Sequence, residues 1–118
     1  MDKTIENSNK HGCVTHYVSE EGETVFCISG ELDHHSVKPM REEIDAVIID
    51  NRPKNVVIDL AGVTFTDSAG LGLVLGRYTR ISGYGGKVKL VSVSDEFMKI
   101  LRLAGVERFM EIEQRTKK

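Results

Sequence analysis

The chain has 118 residues, with 16 Lys and Arg against 18 Asp and Glu and a formal charge of −2. That length fits one domain with one core, burying roughly two-thirds of its unfolded surface. The charge balance excludes the basic field that a phosphate backbone needs, and no apolar run approaches the ~18 residues of a membrane span, so neither direct nucleic-acid binding nor membrane insertion is expected.

Residues 1–11 are polar, mixed in charge and without apolar periodicity, which predicts a loose tail, no secretory signal and a cytoplasmic protein. CVTHYVS (13–19) and ETVFCIS (23–29) alternate apolar and polar residues around the turn-like EEG, the pattern of an antiparallel hairpin leading to Gly30. Cys13 and Cys27 lie on these two segments without the spacing of a metal or redox pair, and read as two packed thiols. From Asp33 onward, Val37, Met40, Ile44, Val47 and Ile48 recur at three- and four-residue intervals, which predicts an amphipathic helix. Pro39 is tolerated if that helix starts at Val37 with Ser36 as its cap, because the first turn needs no amide donor there.

After the NRPKN loop, VVIDL (56–60) reads as a parallel strand covered on both faces. A turn at Thr64–Ser68 then leads into a glycine-rich helix ending at YGG (84–86). KVKLVSV (87–93) is the next strand, and Ser94 caps a third helix with Phe97, Ile100 and Leu101 inward and Gly105 as its stop. RFMEI (108–112) supplies a last short strand before the polar tail at 114–118. The order ββαβαβαβ implies an α/β class of the α+β mixed-sheet kind: one domain over 12–113, right-handed crossovers, and helices packed mainly on one face.

The helix after Asp67 carries the chemistry. On a helical wheel Leu71, Val74, Leu75 and Tyr78 gather on the side expected to meet the sheet, and Gly72, Leu73, Gly76 and Arg80 fall opposite. Each helical glycine costs about 0.8–1 kcal/mol relative to alanine, so Gly70, Gly72 and Gly76 need a compensating role. For Gly70 close packing on the sheet is one such role. For Gly72 and Gly76 the reading is a smooth outward surface, with Leu73 as an apolar knob, on which another protein packs. Ser68 stands at the outer end of a strand and the start of this helix, beside Asp67, where it serves either as an N-cap or as a group to be modified. A phosphate there would meet the positive end of the helix dipole and also the Asp67 carboxylate.

Other chemistries fail on their motifs. A G-x-S-x-G nucleophile would need glycine where Thr66 stands, and GGKV at 85–88 lacks the first glycine and the hydroxyl residue of a phosphate-cradling loop. The four histidines, at positions 11, 16, 34 and 35, have neither the helical i,i+4 pairing nor the cysteine companions of a zinc site.

GELDHH (30–35) and FTDSAGLGLVLGRY (65–78) resemble the corresponding motifs of the anti-sigma factor antagonists of the STAS fold, and the likeness extends in pattern from about Gly12 to Glu113. The resemblance implies a small mixed sheet with helices and a partner switch. The unphosphorylated antagonist binds an anti-sigma factor that is also an ATP-dependent serine kinase, and so frees the sigma factor; phosphorylation ends binding until a serine phosphatase restores it. By position in the motif the acceptor is Ser68. The expected docking surface comprises Asp33, Asp67, Ser68, Ala69, Gly70, Leu71, Gly72, Leu73 and Gly76, with Asp33 holding the docking loop or capping the turn at His34–Ser36. On this reading the chain is not an enzyme, needs no cofactor or metal of its own (ATP and Mg belong to the kinase) and is a monomer when free. A STAS module of another stress-response or signalling complex is the alternative. Two departures stand out: Ala69 replaces a second serine common in relatives, and the chain ends where the relative it most resembles continues into a further helix.

Overall fold

The computed structural model describes residues 12–115, so the expected tail at 1–11 lies outside the described residues. The elements are β1 (Cys13–Val18), β2 (Thr24–Leu32), α1 (Val37–Asn51), β3 (Asn55–Thr66), α2 (Ser68–Ser82), β4 (Lys87–Val93), α3 (Asp95–Leu103), a 3-10 turn (Val106–Arg108) and β5 (Glu111–Gln114). The strands lie in the order β1-β2-β3-β4-β5, with β1 antiparallel to β2 and every later pair parallel. Three successive crossovers that all step the same way along the sheet, each right-handed, must put their helices on the same face. The mixed sheet with one-sided helices is therefore the α+β arrangement expected from the element order.

The pairing Phe26↔Ile58↔Leu90 sets one row of fully buried side chains beneath the helices, which contribute Ile44, Val74 and Leu101. The alternate row, Tyr17–Val25–Val57–Lys89–Glu111, lies on the other face, where Val25 and Val57 are buried and Tyr17 is exposed. Burying the large apolar side chains of such a core stabilises the fold by roughly 1.5–3 kcal/mol each before conformational entropy is subtracted.

Three strands differ from the sequence reading, and β2 does so by running through Gly30 to Leu32 instead of ending at Ser29. β3 does not turn at Thr64 but stays extended to Thr66, where Phe65 pairs with Glu31 and Thr66 with Leu32. Its register against β2 slips twice, between Cys27 and Ser29 and between Gly30 and Glu31, and Gly30 takes a left-handed φ of 91° beside the second slip. Such bulges break strict alternation and hide a strand from a period-two pattern. β5 begins at Glu111 rather than Arg108, because Val106–Arg108 wind into the 3-10 turn that follows the left-handed Gly105. Gln114 is thus in the sheet rather than in a tail, and the Arg115 amide bonds to the Val93 carbonyl at 2.7 Å.

Candidate functional site

Ser68 is exposed as the first residue of α2, with Asp67 alone between it and the end of β3. It is not the N-cap. That role falls to Asp67, whose extended backbone and Oδ1, accepting from the Ala69 amide at 2.7 Å, satisfy a donor the helix leaves open. With Asp67 in that place, the Ser68 hydroxyl makes no hydrogen bond among the described residues and points its chemistry outward.

The second motif forms a turn beside β2. Asp33 Oδ1 accepts from the amides of His35 (3.0 Å) and Ser36 (2.8 Å), and the Ser36 bond above all holds its carboxyl below the usual carboxylate range. Ser36, expected as the cap of α1, makes no side-chain cap bond. Its buried hydroxyl donates instead to the Glu31 carbonyl and accepts from the Asp33 amide, so Asp33 and Ser36 lock the turn reciprocally. The Asp67 amide bonds to the Leu32 carbonyl at 3.3 Å, which ties the Ser68 loop to the end of β2, just before this turn.

The outward face of α2 is not the one the helical wheel assigned. The buried stripe is Gly70, Leu73, Val74, Arg77 and Ile81, while Leu71, Leu75 and Tyr78 are half-buried flanks packed against the core. Leu73 is only 3% exposed and is a core residue rather than a knob for a partner. Arg77 explains the error: its Nε sits 2.8 Å from Asp45 Oδ1 of α1, so a charged residue occupies the helix–helix seam that an apolar count assigns to solvent. Gly70 is also buried, and a Cβ there would come within van der Waals overlap of Thr66 Oγ1 and within 3.3 Å of Leu32 Cδ1, so its hydrogen is a packing requirement. Gly70 and Leu73 therefore leave the docking surface. Gly72 is exposed and Gly76 half-exposed, and a Cβ at either would meet nothing within 4 Å. Asp33, Asp67, Ala69 and Leu71 remain partly accessible.

Two residues that the sequence reading did not single out complete this end of the molecule. Phe65 is 51% exposed, and Arg115 reaches from the end of β5 to give an Nη2 hydrogen bond of 2.9 Å to the Leu60 carbonyl. Phe65 lies within the 65–78 motif, but its place on a strand end depends on β3 staying extended past Thr64. No local signal marks Arg115, whose partner lies 55 positions away. The cysteines sit apart, on the open sheet face, half-buried rather than packed away, where burial first and the Asp59 carboxylate second push the Cys27 thiol up. Among the described residues no helix is long and apolar enough to cross a membrane.

Comparison with known proteins agrees with this geometry. Residues 16–118 match the STAS domain family. An anti-sigma F factor antagonist of Paenibacillus polymyxa is 34% identical over 91 residues, covering 77% of this chain and 78% of the relative. Among solved structures, the anti-sigma factor antagonist SpoIIAA in its unphosphorylated form is similar with a TM-score of 0.66 and 25% identity over 88% of this chain and 89% of that one. The Bacillus cell fate determinant SpoIIAA in the phosphorylated form is similar with a TM-score of 0.68 and 27% identity, covering 84% and 89%. A solved relative thus exists in both phosphorylation states on this fold. The chain belongs to the STAS domain family, among the anti-sigma factor antagonists.

Proposed function

We propose that this protein is a phosphorylation-gated binder: unmodified, it docks on an anti-sigma factor with serine kinase activity and releases the sigma factor, and phosphorylation of Ser68 ends the complex. The observation that carries the reading is the exposed, unpartnered Ser68 hydroxyl at the first turn of α2, with the capping duty already discharged by Asp67. A phosphoryl group brings about −1.5 to −2 charges. Because Asp67 Oδ1 already holds the Ala69 amide, that new charge meets a neighbouring carboxylate and projects toward whatever packs on the loop. Charge placed in a desolvated interface costs several kcal/mol, enough to reverse a docking equilibrium without refolding.

On this reading the chain performs no catalysis and needs no cofactor of its own; ATP and Mg belong to the kinase, and a serine phosphatase regenerates the binder. It works in the cytoplasm and is a monomer when free. Asp33, Asp67, Ser68, Ala69, Leu71, Gly72 and Gly76 supply the docking surface. The test is to mix the protein with histidine-kinase-like anti-sigma factors and ATP and to locate the added phosphoryl group by peptide mass. Ser68→Ala is expected to bind yet resist being switched off, and Ser68→Asp to bind poorly. Stoichiometric phosphorylation of Ser68→Ala would show that the acceptor lies elsewhere.

A further inference from the structure

Beyond Asp59↔Val91 the ladder between β3 and β4 ends, while β3 runs on to Thr66. The overhang leaves a depression of about 340 Å³ at the carboxyl ends of the strands, floored by the buried Val63 and walled by Phe65 and Arg115. A sheet whose strand order never reverses has no topological switch point, so this hollow comes from the length of β3 and not from the sheet's winding.

Its two walls are chemically unlike. Phe65 offers an aromatic ring half open to solvent. Arg115 is held by its amide on Val93 and by its Nη2 on Leu60, yet its guanidinium forms no ion pair among the described residues and its buried Nε has no acceptor. Around it, the Ser94 hydroxyl accepts from the Phe97 amide and keeps its own proton to donate, Asp95 accepts from Gln114, and the exposed Glu96 stands on the rim. Arginine keeps its charge at all physiological pH and has five donors matched to a carboxylate, so the unspent donors favour an acidic group. Aromatic and arginine side chains are also the types that most often dominate binding energy.

We infer that the kinase docks by placing an acidic side chain in this depression, its carboxylate on Arg115 and its aliphatic stem against Phe65; the inference rests on the kinase-binding reading above. Ser68 follows Phe65 by three positions and stands at the same end of β3. An incoming carboxylate is attracted by Arg115 and repelled by a phosphate at Ser68, so one charge supplies both affinity and gating.

The test is calorimetric titration of the full chain with a kinase that phosphorylates Ser68, alongside thermal unfolding of each variant. Arg115→Gln and Phe65→Ala are expected to weaken binding by about tenfold or more, and Arg115→Lys by only about threefold. Thr64→Trp fills the hollow from an exposed rim position while leaving Arg115 itself in the chain and is also expected to lose about tenfold, which keeps the test open if the Arg115 variants unfold. Unchanged binding by Thr64→Trp, or equal binding by Arg115→Gln and Arg115→Lys, overturns the inference. If Ser68→Asp still fails to bind in that case, the phosphoserine switch stands and only the pocket is lost. A wild-type chain that forms no complex with this kinase defeats both.

Discussion

Ser68 and Asp67 divide between them two roles that a helix start usually assigns to one side chain. Asp67→Ala is expected to cost about 1 kcal/mol by leaving the Ala69 amide unpaired. Two neighbouring positions on α2 now separate packing from contact. Leu73→Ala opens a cavity in the core and should cost about 2–5 kcal/mol in urea unfolding, with lost binding following only from lost structure. Gly72→Gln meets open space and improves helix propensity, so its melting temperature should hold or rise slightly while affinity for the kinase falls. A lower melting temperature for Gly72→Gln would mean that this face of α2 is packed.

Among the elements, α1 and α2 are joined by charge as well as by apolar contact. Asp45 Oδ1 forms ion pairs with Arg77 Nε at 2.8 Å and Arg80 Nε at 3.4 Å, and Arg77 is only 4% exposed. Burial pushes the Arg77 pKa down, with Asp45 opposing that push. Removing Asp45 alone strands a buried cation and is expected to cost about 3 kcal/mol, whereas replacing Asp45 and Arg77 together by apolar residues of similar volume should come out near neutral. Denaturant midpoints of the single and double variants check this. The turn before α1 depends on an ionised Asp33. Its pKa in the folded chain is depressed below the unfolded value, chiefly by the Ser36 amide, so its contribution is complete above the unfolded carboxylate range and disappears as pH falls through the folded value. Acid titration followed by the His35 and Ser36 amide resonances should show the turn loosening only below the ordinary aspartate range, and Asp33→Asn should remove that step.

At the scale of the whole molecule, the proposed docking and gating surface lies at the carboxyl ends of β2 and β3, while the core row Phe26–Ile58–Leu90 lies away from it. Phosphorylation is therefore expected to leave the fold intact: hydrogen exchange of the phosphorylated chain should change around residues 64–72 and not in the central strands. Protection lost throughout the sheet would replace a local gate with unfolding. The sequence by itself determined the hairpin, the three helices, the Ser94 cap and the place of Ser68, because alternation, helical spacing and capping are properties of neighbouring residues. Helices mainly on one face were expected from the alternation of the first hairpin, but the strand order that makes right-handed crossovers all step one way is a property of the tertiary structure. Only the tertiary structure decided which side of α2 is buried, because Arg77 is drawn inward by Asp45 on another helix. The same holds for the full length of β3, drawn out by pairing with Glu31 and Leu32 through two bulges, and for Arg115, fixed by a carbonyl 55 positions away. Contacts between residues distant along the chain leave no periodicity to read, and they set the surface on which the exposed serine acts.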